Sequence, residues 1–307
     1  MRIAALAGGV GAAKFLSGLV EVFPAEDLTV VVNTGDDFQW LGLYICPDLD
    51  TLTYTLAGLA HPERGWGVRG DTFHTLARLQ ELGCDTWFLL GDRDLATHIY
   101  RTAALLRGQS LNDVTHRICL ANKIRATLLP MTNSPVPTQV HTDEGILPFQ
   151  EYFVRRKCEP RVAGFTYSGA ERSHAAPGVF EALREAGAIL ICPSNPFISI
   201  APILAVPGIR ETLRNSTAKV IAITPIIAGK SVKGPAATML EQLGHEVSAV
   251  SVARMYQEFL DVFVLDRRDA DLEPQIAYLD IEVKVAETLM DTHERKVDLA
   301  REVLALI

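Results

Sequence analysis

The chain has 307 residues, 48% of them hydrophobic and 21% charged, with a formal net charge of -8. A chain of this length buries roughly 75% of its unfolded surface and needs no disulfide or metal staple to fold. The acidic balance argues against nonspecific nucleic-acid binding, which requires a basic face, but allows a local cationic pocket for a small phosphorylated ligand.

In chain order, "RIAALAG" reads as a strand, and "GAAKFLSGLVEVF" as a helix that begins directly after a glycine-rich turn. "LTVVVNTG" is a second strand, rich in β-branched residues and suited to burial on both faces. Apolar residues at three- and four-residue spacing predict helices in "DTLTYTLAGL", "DTFHTLARLQELG", "DLATHIYRTAALLRG" and "LNDVTHRICLANKI". Among them only "TWFLLG" (86–91) reads as a strand. Residues 131–170, with "TQVHTD" and "YFVRRK", fit β-structure. Further strands are predicted in "ATLLPM" (126–131), "AILICPS" (188–194), "KVIAITPI" (219–226) and "VFVLD" (262–266). This alternation predicts an α/β fold: a Rossmann-like, mostly parallel sheet in one domain over 1–307, with a mainly helical insertion at about 48–122.

Cys46, Cys84, Cys119, Cys158 and Cys192 show no CxxC spacing and read as reduced thiols of a cytoplasmic protein. No apolar run is long enough to span a membrane, and the glycines and Lys14 near the start make a poor signal peptide.

Chemistry-bearing residues cluster at the strand ends. In "ALAGGVGAAKF", Gly8, Gly9 and Gly11 free backbone N–H groups at a helix start, and Lys14 follows one turn later. That arrangement suits either a phosphate cradle or a tight turn with a solvated lysine. "NTGDDFQWLGLYICPDLDT" holds Asp36, Asp37, Asp48 and Asp50 with almost no basic residue nearby. Helix capping explains one of these aspartates, but four repel one another, and a hard cation such as Mg2+ is the usual remedy. "GDRDLATHIYR" places Asp92, Arg93 and Asp94 at a helix start, with Thr97, His98 and Arg101 on the following turns, either as an ion pair with a cap or as part of a site. Trp66 in "WGVRGDTF" is either core or a stacking platform. Ser194 and Asn195 in "CPSNPF" suit contact with a base edge or a phosphate, and Lys230 and Lys233 in "AGKSVKGPA" form either a second anion site or a flexible basic loop. The histidines form no HxxxH or HExxH, and GxSxG is absent, so zinc hydrolysis and an acyl-enzyme elbow are not supported.

Taken in order, "GGVGAAK", "NTGDDF…GLYICPDLDT", "WGVRGDTF", "LGDRDLATHIYRT", "CPSNPFISIAPIL" and "TPIIAGKSVKGPA" resemble the 2-phospho-L-lactate transferase family of coenzyme F-420 biosynthesis, including its phosphoenolpyruvate-using members. The resemblance runs along essentially the whole chain. It implies a homodimer, Mg2+, a guanosine diphosphate ester donor, the deazaflavin Fo as acceptor through its terminal ribityl hydroxyl, and release of GMP. It also implies that Asp50, and after it Asp48, contact the metal or the acceptor hydroxyl, with Asp36 and Asp37 as further metal candidates. On the same grounds Gly8 to Lys14, Ser194, Asn195 and Lys230 surround the donor, and Arg93 and Trp66 face the deazaflavin. Two rival readings share parts of the pattern. The related UDP-sugar-binding regulatory branch has the same glycine-rich opening, but "CPDLDT" and "GDRDLATH" resemble the transferases. A nucleotide-dependent dehydrogenase would use Asp36 or Asp37 on a ribose and leaves Asp48 and Asp50 without a role.

Overall fold

In the computed structural model, which describes residues 1–307, the chain opens with strand β1 (Ile3–Ala7), helix α1 (Gly9–Val22) and strand β2 (Leu28–Val32). A hairpin of β3 (Phe38–Trp40) and β4 (Leu43–Ile45) leads into helices α2 (Pro47–Leu56), α3 (His74–Glu81), α4 (Asp92–Leu106) and α5 (Leu111–Ala121). The chain returns as β5 (Thr127–Pro130), then runs through β6 (Thr138–Thr142), β7 (Gly145–Pro148) and β8 (Val162–Tyr167). The second half contributes β9 (Ala188–Ile191), β10 (Lys219–Ile223), the short pair β11 (Ile226–Ile227) and β12 (Lys230–Ser231), β13 (Val262–Asp266) and β14 (Glu282–Ala286). Helix His293–Leu304 closes the chain.

Seven strands form a parallel sheet in the order β14-β13-β10-β9-β1-β2-β5. Chain order reverses at β1: β2 and β5 lie to one side, and β9, β10, β13 and β14 to the other. The loops leaving β1 and β9 therefore diverge and open a crevice at the carboxyl edge, the topological switch point where open α/β sheets hold ligands. Both faces of the sheet are covered, which is why the strands read as continuous apolar runs. Along β1, Ala4 and Leu6 join one core cluster with Ile189, Ile191, Val220 and Phe263, while Ile3, Ala5 and Ala7 join the opposite one with Phe15, Leu19, Val30 and Leu190.

The mainly helical insertion sits between β2 and β5, and the antiparallel sheet β7-β6-β8 follows it, as the sequence pattern predicts. Three local expectations differ. "TWFLLG" is not a strand: Phe88 packs edge-on against Phe38 at 4.8 Å, and Trp87 lies 6.0 Å from the same ring. These apolar residues serve a satellite cluster with Trp40 and Leu90 rather than a sheet. The stretch "EYFVR" forms a π-helical turn with Tyr152 buried, and Phe153 stacks on Phe149 at 5.3 Å. Strand β14 escapes the pattern because it is an edge strand, bonded only to β13 and charged at Glu282 and Lys284.

Helix α1 packs closely on the closing helix, and a Cβ at Gly18 would overlap the Lys296 backbone. Overpacking of this kind costs about 1–3 kcal/mol, more than the roughly 1 kcal/mol that alanine gains in helix propensity. Gly18→Ala is therefore expected to lower the urea midpoint; a midpoint equal to or above wild type would show that the two helices can separate freely.

Candidate active site

A cavity of about 490 Å³ opens at the switch point. Its floor is the start of α1, where Gly8 to Gly11 and Lys14 line the space. Gly9 has φ +73°, a backbone state that side-chain-bearing residues rarely adopt, and its N–H donates to Asp48 Oδ1 at 2.8 Å. The first turn of α1 has no acidic residue and no side-chain cap, so its positive dipole end faces the cavity. Opposite lies the loop after β9, tied to the first loop by Ser194 Oγ, which donates to the Gly8 carbonyl at 2.8 Å. Asn195 also lines the cavity, but its Oδ1 accepts from Phe197 N at 2.9 Å and caps the following turn.

Asp48 joins three chain segments. It opens α2 after Pro47 at the first helical position, accepts from Gly9, and accepts from Asn33 Nδ2 at the end of β2 at 2.8 Å. Burial pushes its carboxyl up to about 6, against the opposing effect of those two hydrogen bonds. Asp36 lines the same cavity, and its Oδ1 is buried without a hydrogen-bond partner. Burial, then the charge of Asp48, hold it well above the usual carboxylate range. Asp37 does not line the cavity. Both of its oxygens are buried and unpartnered, and burial raises its carboxyl, with Arg101 opposing the shift. Adjacent aspartates thus serve different neighbourhoods.

Asp50 departs from the expectation that protein cations leave this charge unanswered. The Arg101 guanidinium of α4 grips both of its oxygens, Nη1 meeting Oδ2 at 3.0 Å, with both side chains buried. The sequence hides this pairing because Arg101 is separated by 51 residues from Asp50 and arrives on a different helix. Tyr54, one turn after Asp50, donates to Asp94 Oδ1 at 2.7 Å and accepts from Thr97 Oγ1 at 2.8 Å. Asn33 and Tyr54 are site residues that sequence reasoning missed; the only signal for Tyr54 is its four-residue spacing from Asp50.

The cations and aromatics are also redistributed. Lys14 lines the cavity, and burial, then Lys233, then Lys296, push its ammonium below the ordinary lysine value. Lys233 reaches across the mouth, its Nζ 3.1 Å from the Arg64 carbonyl. Lys230, at the start of β12, is exposed and stays outside the cavity. Arg93 is likewise exposed and outside it, its Nη1 3.3 Å from the Arg69 carbonyl. Its neighbour Asp92 caps α3, accepting from His74 N and Thr75 N, while Asp71 caps α4 in return, accepting from Arg93 N and Asp94 N. Trp66 does line the cavity, with the Arg64 guanidinium 5.4 Å from its ring. Phe88, Phe149 and Phe153 complete an apolar wall that sequence reasoning did not identify, because its parts come from the loop before α4 and the helical turn after β7.

The donor set fits a hard divalent cation. Asp36 offers an unpartnered buried oxygen beside Asp48, and their mutual repulsion has no cationic answer of its own. Asp50, Asp94 and His98 also hold ligand atoms within 4.8 Å of one another. In that second group Arg101 already supplies the positive charge.

Comparison with known proteins identifies the family and the fold. The family model for "2-phospho-L-lactate transferase CofD" matches residues 3–303. The chain is 43% identical over 297 residues to the 2-phospho-L-lactate transferase of Methanosarcina mazei, covering 97% of each chain. It is 41% identical over 312 residues to the phosphoenolpyruvate transferase of Streptomyces coelicolor, covering 100% of this chain and 98% of that one. A solved Bacillus halodurans protein of the UPF0052 family shares the fold, with a TM-score of 0.67 at 16% identity over 99% of this chain and 100% of the other.

The raised carboxyls of Asp36 and Asp37 predict how stability responds to pH in metal-free protein. The folded state holds their protons above about pH 4, where the unfolded chain has released them, so their contribution is lost as pH rises through the folded values. The Tm advantage of Asp37→Asn over wild type should therefore grow from about pH 4 to pH 8, near the unfolded value and above it. An advantage independent of pH would mean that Asp37 is ionised in the fold at no cost.

Proposed function

The chain belongs to the 2-phospho-L-lactate transferase CofD family, and we propose that it transfers a phospho-carboxylate unit from a guanosine diphosphate ester of lactate or enolpyruvate to the terminal ribityl hydroxyl of Fo, releasing GMP. The observation that carries this reading is one cavity holding a helix N-terminus with Lys14 and Lys233, a carboxylate cluster, and an aromatic wall. Those three elements match a diphosphate, an attacking alcohol with its metal, and a flat heterocycle.

An alcohol attacking a phosphoanhydride needs both partners in line and the developing charge neutralised. In this proposal the α1 N-terminus and the two lysines grip the diphosphate, and Ser194 keeps the first loop closed beneath it. Trp66, Phe88, Phe149 and Phe153 take the deazaflavin ring and exclude water from the reacting end. Asp36 and Asp48 would hold Mg2+, which when bound offsets charge on the phosphoryl oxygens. Asp50 receives the acceptor hydroxyl: it lines the cavity, and Arg101 holds its plane. Phosphoryl-type transfer through a loose transition state depends more on that orientation than on a strong base. The homodimer implied by the resemblance belongs to the same reading.

Purified protein supplied with Fo, Mg2+ and each donor in turn should release GMP, with mass spectrometry of the product identifying the transferred acid. Asp50→Asn should lower kcat about 10²–10⁴-fold, the range for loss of a positioned proton acceptor. Lys14→Ala should mainly raise the donor KM. Absence of GMP release together with tight UDP-sugar binding would replace the transferase reading, and turnover unaffected by chelator would remove Mg2+ from it.

A further inference from the structure

Helices α2 and α4 face each other through polar side chains at helical spacing: Asp50 and Tyr54 on one, Asp94, Thr97, His98 and Arg101 on the other. Arg101 is the largest fully buried side chain of the molecule. Its Nη1 reaches Asp50 Oδ2 at 3.0 Å and lies 3.2 Å from His98 Nδ1, while Nη2 takes Asp50 Oδ1. A guanidinium only donates, so His98 Nδ1 is the acceptor, while His98 Nε2 lies 3.1 Å from Asp94 Oδ1 without the alignment of a hydrogen bond. Tyr54 OH donates to the same Asp94 oxygen at 2.7 Å. Hydrogen bonds therefore run from His98 through Arg101 to Asp50, with Asp94 packed beside the imidazole.

Asp50 lines the cavity, and Arg101 lies behind it, outside the lining. A buried ion pair is seldom more stable than apolar residues of the same volume, so stability alone gives little reason for a guanidinium here. What the planar fork does supply is orientation, because two parallel donors fix the carboxylate plane and a lysine ammonium does not. We propose that Arg101 is a positioning residue, held in turn by His98, that sets the Asp50 carboxylate for the acceptor hydroxyl. The assignment rests on the reading that Asp50 meets that hydroxyl.

The test is Arg101→Lys in the full chain, which keeps the charge and removes the fork. Circular dichroism and thermal unfolding establish the fold, steady-state kinetics separate kcat from the donor KM, and crystals of variant and wild type locate the Asp50 carboxylate. The expected result is a folded protein with donor KM within about twofold of wild type, kcat lowered about 10–100-fold, and Asp50 rotated from its wild-type plane. A variant that fails to fold overturns the assignment in favour of a structural role. So does a folded variant with wild-type kcat, or one whose Asp50 carboxylate has not moved. If the wild-type protein releases no GMP, the transferase reading fails on its own, and the Asp50 position in the variant crystal still decides whether Arg101 orients it.

Discussion

Asp36, Asp37, Asp48, Asp50 and Asp94 are all less than one-tenth exposed, and Arg101 is the one arginine or lysine buried with them. Burying so many carboxylates around a single guanidinium is the constraint that organises this molecule. Where Arg101 reaches, as at Asp50, the charge is paired and the side chain is fixed. Where it does not, as at Asp36 and Asp48, burial raises both carboxyls and the charge of Asp48 raises Asp36 further, which leaves a place suited to a cation. An active site built for anionic substrates and a hard metal needs both conditions within one cavity.

The sheet makes this charge concentration possible. Reversal of strand order at β1 separates the loops after β1 and β9, so that a helix dipole, two lysines and the carboxylates can approach one space without crowding. Asp48 then ties the β1 loop, the end of β2 and the start of α2 together through two hydrogen bonds. The insertion is anchored unevenly. Helix α2 buries Leu49 and Leu52 in the main core, whereas α3 has no buried residue and is held at its start by Asp92, with Asp71 capping α4 in return. Few buried apolar contacts place α3 at the low-stability end of the structure, beside the wall assigned to the acceptor.

The parallel sheet, the helical insertion and the glycine-rich start of α1 were legible in the sequence because burial on both faces and helical periodicity leave local signatures. The resemblance carried by the ordered motifs also pointed to the family that the whole-chain match establishes. What stayed hidden were contacts made at long sequence separation. "TWFLL" has the composition of a strand, but its aromatics pack side chain to side chain on the β3–β4 hairpin instead of entering a sheet. Lys230 and Lys233 are equivalent in sequence, yet Lys230 is taken up in β12 and only Lys233, beyond the strand, lines the cavity.

The four aspartates between Asp36 and Asp50 show the division most clearly. Their number and their place after a buried strand are properties of the sequence alone, and those properties point to a charged site at the sheet edge. Their separate fates are not. Asp50 is paired by a guanidinium 51 residues away, Asp48 is hydrogen-bonded to Gly9 and Asn33, and Asp36 and Asp37 retain unpartnered oxygens on different sides of one turn. Electrostatic energy inside a protein depends on distance and on exclusion of water, and both quantities exist only once the chain has folded.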